Sequence, residues 1–194
     1  MWRHIMPNHK IMIVEDEEIV AADIQRSIEE MGYAVCAMAS SGMEAIKKAD
    51  ANRPDLIIMD IVLKGSMDGI EAATRIKELY KIPAVYLTAF GDDDVVQQAK
   101  LAEPYGYILK PYQDRDLHIA IEIALYKKQA EDRIQKTERW LASVLKSIGD
   151  AVIALDRNRQ ITFMNAVAEN LTGWDQEDAL GKKLTEVLNI KDQD

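Results

Sequence analysis

Five short apolar runs, each followed by helix-like periodicity, constrain this sequence more than any other feature. Residues 10–14 (KIMIV) close on Glu15 and Asp16, residues 56–59 (LIIM) on Asp60, residues 84–87 (AVYL) on Thr88 and residues 105–109 (YGYIL) on Lys110 and Pro111. Residues 34–38 (AVCAM) supply the remaining run. Apolar stretches of this length without polar alternation are expected of strands covered on both faces. The segments between them carry helical spacing: Val20, Ile24, Ile28 and Met31; Ala45, Ile46 and Ala49; Ile70, Ala73, Ile76 and Tyr80; residues 92–102; then Leu117, Ile121, Ala124 and Leu125.

Punctuation falls between the runs. Gly32 ends the first helix, Ser41 with Glu44 reads as a capping box, Asn52-Arg53-Pro54-Asp55 breaks the second helix, and Asp68 with Glu71 caps the third. Strict strand and helix alternation implies right-handed crossovers and a doubly wound parallel α/β sheet, complete by about residue 126.

Residues 1–9 form a tail without an apolar signal segment. Residues 127–146 lack Gly and Pro and mix charge signs, so the preceding helix is expected to continue as a connector. There Ile134, Leu141, Leu145 and Ile148 keep seven-, four- and three-residue spacing, which suits either a short two-stranded coiled coil or a solvated connector. Beyond it, runs at 151–155 and 160–164 flank the turn Asp156-Arg157-Asn158-Arg159. Asn165 caps a short helix holding Val167, Ala168 and Leu171, and Gly173 ends it. Residues 147–194 therefore read as the start of a second, α+β domain, expected to be truncated because only two strands are evident.

Composition excludes several partners. With 33 acidic residues against 24 Lys and Arg, the net charge of -9 argues against a broad surface for nucleic acid or anionic membrane. No run of about 18 apolar residues marks a membrane segment. One cysteine, Cys36, allows neither an intrachain disulfide nor a cysteine zinc set; it reads as part of an inner strand, and a reducing cytoplasmic compartment is expected. His4, His9 and His118 lie in a tail and a helix, away from the strand ends.

In open parallel sheets, ligands bind beyond the carboxyl ends of the strands. That rule gathers Glu15, Asp16, Asp60, Thr88 and Lys110 at one rim. Three crowded carboxylates either raise a pKa or hold a hard divalent cation, magnesium or manganese. With such a cation and the Lys110 amine nearby, Asp60 can attack a phosphoryl group and become an aspartyl phosphate, while the Thr88 hydroxyl can donate to a phosphoryl oxygen. The competing explanation makes these carboxylates separate helix caps. Tyr107 reads as a half-buried strand aromatic or as a ring that moves with Thr88.

The stretches IMIVEDE, LIIMDIVLKGSMDGIEA, VYLTA and GYILKPY strongly resemble the receiver domain of two-component response regulators, over residues 10–126. The resemblance implies a flavodoxin-like five-stranded sheet in the order 2-1-3-4-5 and a cis Lys110–Pro111 bond. It implies Asp60 as phosphoacceptor, Glu15, Asp16, Asp60 and the Val62 carbonyl around magnesium, Thr88 and Lys110 on the phosphate, and Thr88 with Tyr107 as the switch. Its donor would be the phosphohistidine of a kinase or phosphotransfer protein. Its output face would include Val95, Val96, Gln97, Tyr107 and residues near His118, pairing two receivers or receiving a partner; the connector helix is the other expected route to a homodimer. The stretch SIGDAVIALDRNRQITFMNAVAENLTGW, with ALGKKLTEVLNI, resembles the beginning of a PAS sensory domain over about residues 145–190. Phe163, Trp174 and Leu184 would line its pocket or fill its core, and neither haem nor flavin is expected.

These readings converge on a phosphorylation-dependent signalling module that passes a change at Asp60 to a PAS-containing output. The receiver is expected to catalyse its own phosphorylation and dephosphorylation only. Three alternatives stay open: a hybrid sensor histidine kinase as the parent protein, an independent magnesium phosphatase, and a docking scaffold whose acidic site is unused.

Overall fold

The computed structural model describes residues 9–89, 105–147 and 149–188. The chain divides into two compact units, Met1–Glu131 and Asp132–Asp194. The first contains β1 (Lys10–Val14), α1 (Glu18–Glu30), β2 (Ala34–Ala39), α2 (Gly42–Asn52), β3 (Leu56–Asp60), α3 (Gly69–Tyr80), β4 (Ala84–Ala89) and β5 (Gly106–Lys110). A long helix, α4 (Asp114–Ser147), then runs without interruption through the charged segment that the sequence marks as a connector. The strands are all parallel in the order β2-β1-β3-β4-β5, the doubly wound arrangement expected. The expected helix at 92–102, with Val95, Val96 and Gln97, and the tail through residue 8 lie outside the described residues.

The unalternated apolar runs are explained by cores on both faces. Successive residues of β1 and β3 point oppositely: Met12, Val14, Ile57 and Met59 join a cluster with Ala72, Ala73 and Ile76 of α3. Ile11, Ile13, Leu56 and Ile58 join another with Ile24 and Ile28 of α1 and Leu117 and Ile121 of α4. Each such side chain contributes roughly 1.5–3 kcal/mol through removal from water. The parallel ladder pairs the backbones of neighbouring strands, leaving β2 and β5 as the two edges.

Two local expectations change. Ser41 Oγ accepts from the Glu44 N–H at 3.4 Å, but the Glu44 carboxylate receives the N–H of Ser40, at 2.8 Å, so the capping box closes one residue upstream. The other Glu44 oxygen is held by Lys48 at 2.7 Å, which fixes that geometry. Cys36 lies on no inner strand: β2 pairs only with β1 and is an edge, leaving the thiol half-buried. Asp68 caps α3 as expected, accepting from Glu71 N at 2.8 Å.

The second unit pairs β6 (Ile153–Leu155) with β7 (Ile161–Met164) antiparallel and adds α5 (Ala166–Thr172), α6 (Gln176–Ala179) and α7 (Leu184–Val187). Asp156 shapes the hairpin turn by accepting from Asn158 N and Gln160 N, both at 2.8 Å. Asn165, buried, organises the loop around it: Oδ1 accepts from Val152 N and Ala168 N, and Nδ2 donates to the carbonyls of Asp150 and Leu145. Ile161, Met164, Ala168, Ala179 and Val187 form the core, with Trp174 and Leu184 packed against it. Among the described residues, no helix is long and apolar enough to cross a membrane.

Candidate functional site

The strand order reverses between β1 and β3, and the crevice at that point collects the polar ends of four strands. Glu15 and Asp16 follow β1, Asp60 ends β3, Thr88 lies in β4, and Lys110 ends β5. Lys110 Nζ donates to Asp60 Oδ2 and to Glu15 Oε2, each at 2.7 Å. Carboxylate oxygens of Glu15, Asp16 and Asp60 lie within 4.8 Å of one another. Residues separated by up to 95 positions are thus brought into direct contact.

Local donors orient the carboxylates. The Val62 N–H donates to Asp60 Oδ1 at 3.1 Å, and the Glu17 N–H donates to Glu15 Oε1 at 3.2 Å. Glu15, Asp60 and Thr88 are buried, whereas Val62 stands exposed at the mouth. The Lys110–Pro111 peptide is cis. Among the described residues, Thr88 Oγ1 makes only a long contact, 3.4 Å, to the Ala89 carbonyl. The Tyr107 ring stacks on Tyr86 at 5.9 Å between centroids, and its buried hydroxyl has no hydrogen-bond partner among the described residues.

Burial pushes the Glu15 carboxyl above its ordinary range; the Lys110 hydrogen bond opposes this and the Asp60 charge adds to it. Burial also pulls down on the Lys110 ammonium, but hydrogen bonds to Asp60 and Glu15 outweigh it and the amine titrates higher than a free lysine. Asp16 is held low, chiefly by a hydrogen bond from Lys64 at 3.0 Å. Burial raises the Tyr107 phenol.

Three carboxylates against two ammoniums, Lys110 shared by Glu15 and Asp60 and Lys64 on Asp16, still leave an excess of negative charge in a partly dry crevice. An all-oxygen donor set of this kind fits a hard divalent cation. Two participants escaped the sequence reading. Lys64 reaches Asp16 from the loop after β3, and its only signal was a lysine four residues beyond Asp60. At Gly69, a Cβ would fall 1.9 Å from the Asp60 carbonyl oxygen, so only glycine lets α3 begin against the end of β3.

The family described as response regulator receiver domain matches residues 11–122, more than half of the chain. The chain belongs to the response regulator receiver family. A PAS fold matches residues 141–194, so a receiver domain is followed by a PAS-fold domain. The receiver is similar to the transcriptional regulatory protein PdtaR of Mycobacterium tuberculosis H37Rv, 38% identical over 116 residues that cover 60% of this chain and 56% of the relative. It is also similar to the response regulator protein VraR of Staphylococcus aureus Mu3, 38% identical over 58% of this chain and 54% of the relative. The chain thus spans about half the length of these curated relatives. Among solved structures, the signal receiver domain of a modulated diguanylate cyclase from Desulfovibrio desulfuricans G20 is 36% identical with a TM-score of 0.62, covering 64% of this chain and 99% of that one. The N-terminal domain of a response regulator/sensory box/GGDEF protein from Carboxydothermus hydrogenoformans is 36% identical with a TM-score of 0.58, covering 63% and 98%.

Proposed function

We propose that the receiver accepts a phosphoryl group on Asp60 from the phosphohistidine of a histidine kinase or phosphotransfer protein and passes the resulting change to a PAS-containing output. The observation that carries this is the Lys110 amine, shared at 2.7 Å between Asp60 and Glu15 at the mouth of the acidic crevice.

An Asp60 carboxylate oxygen attacks phosphorus; the O–P bond forms as the P–N bond to imidazole breaks, and the departing imidazole takes a proton from solvent. Glu15, Asp16, Asp60 and the Val62 carbonyl would hold magnesium, with manganese as a substitute. When bound, the cation neutralises phosphoryl oxygens that would otherwise repel the nucleophile. Val62 N–H fixes one Asp60 oxygen, and Lys110 transfers its hydrogen bond from the carboxylate to the new phosphoryl group. The weakly engaged Thr88 hydroxyl then turns to a phosphoryl oxygen, and Tyr107 follows into the space beside it.

The test is incorporation of label from a phosphorylated kinase or from a small phosphoryl donor with magnesium. Wild-type protein is expected to gain one acid-stable, alkali-labile phosphoryl group and Asp60→Asn none; equal incorporation in both rejects Asp60 as acceptor. Turnover of unrelated phosphate esters would instead favour a phosphatase.

A further inference from the structure

The surface of α4 beyond the receiver sheet carries a pattern that phosphoryl chemistry does not use. Ile134 and Leu141 are 59% and 51% exposed although apolar, and Trp140 beside them is 66% exposed. Placing Ile134 and Leu141 at heptad position a puts Ala130, Thr137 and Val144 at d, giving a continuous narrow seam from 130 to 144. One heptad earlier the a position falls on Lys127, whose amine lies 4.9 Å from the centre of the Tyr105 ring, so the seam opens only after that contact.

The flanking positions say what covers the seam. Arg133 falls at g and Glu138 at e of the next heptad, the pair that meets across a parallel, in-register two-stranded coil. Trp140 and Leu145 occupy the same relation one heptad later, so a charged pair is followed by an apolar one. Neither charge serves its own helix: the residues three and four away from Arg133 are Gln129, Ala130, Lys136 and Thr137, and those around Glu138 are Ile134, Gln135, Leu141 and Ala142. An antiparallel coil would bring e positions together and set Glu131 against Glu138 of the other chain.

We infer that residues 130–144 of α4 bind a second copy of this chain as a parallel, in-register coiled-coil dimer, keyed by Arg133 of each copy against Glu138 of the other. The proposal stands apart from the Asp60 chemistry, and its test uses no phosphoryl donor. Sedimentation of the full chain over a concentration series should show conversion from 21.9 kDa to twice that mass. Arg133→Glu and Glu138→Arg should each weaken the dimer about tenfold by replacing two attractions with two repulsions, and the double swap should restore it. In a Cys36→Ser background, Thr137→Cys should cross-link on oxidation, whereas Gln135→Cys, pointing outward, should not. A monomer at every concentration, a trimer, a dimer indifferent to the charge variants, or equal cross-linking at both cysteines overturns the proposal.

Discussion

Replacing Lys110 by Met removes the charge that holds two buried carboxylates together while keeping the length of the stem. In the wild type, the amine bonds Asp60 and Glu15 at 2.7 Å each. Without it, two charges no more than 4.8 Å apart face each other, a repulsion of about 3.5 kcal/mol at an effective dielectric of about 20. The Val62 and Glu17 N–H groups remain on those carboxylates, and water enters where the amine stood, so the expected loss at pH 7 without divalent cation is about 2–3 kcal/mol. The deficit has a defined pH dependence. Burial already raises Glu15 above the ordinary glutamate value of 4.5, and losing Lys110 raises it further. A folded-state carboxyl pKa above the unfolded one costs stability when the group is ionised, and that cost vanishes as pH falls through the folded value toward 4.5. The gap between Lys110→Met and wild type should therefore be widest at pH 7 and shrink toward pH 5, and saturating magnesium should narrow it at pH 7. Urea denaturation of both proteins, at two pH values with and without magnesium, measures this. Equal midpoints at pH 7 without cation would refute the view that the ammonium compensates the crevice.

Further substitutions probe the surrounding geometry. Gly69→Ala should prevent α3 from closing on the end of β3, since its Cβ would lie 1.9 Å from the Asp60 carbonyl; a loss of about 2 kcal/mol or more in thermal unfolding is expected, and wild-type stability would contradict the close approach. Lys64→Ala frees Asp16 from its ion pair, so manganese binding followed by electron paramagnetic resonance should tighten severalfold; unchanged affinity would remove Lys64 from the site. Asn165→Ala strips four hydrogen bonds from a buried turn and should cost the C-terminal unit about 2–4 kcal/mol, visible as faster amide exchange in 149–188 with the receiver strands unaffected.

What could be read in advance depended on the range of the forces involved. The caps at Ser41, Asp68 and Asn165 act over three residues and are visible as short motifs. Even so, Glu44 closes its box on Ser40, because Lys48 on the same helix holds its other oxygen. Asp60 and Lys110 were legible because a parallel sheet must deliver strand ends to one edge. Lys64 was not, because a loop lysine can reach many partners and only the placed backbone selects Asp16.

Sequence by itself determined the strand and helix alternation, the identities of the residues at the rim and the heptad spacing of α4, since these follow from local periodicity and from the need to bury apolar faces. Tertiary structure alone decided that one ammonium bridges Glu15 and Asp60 and that Gly69 lies against the end of β3. Those outcomes depend on separations of a few ångströms between residues far apart in the chain, which only the packing of helices on both faces of the sheet can set.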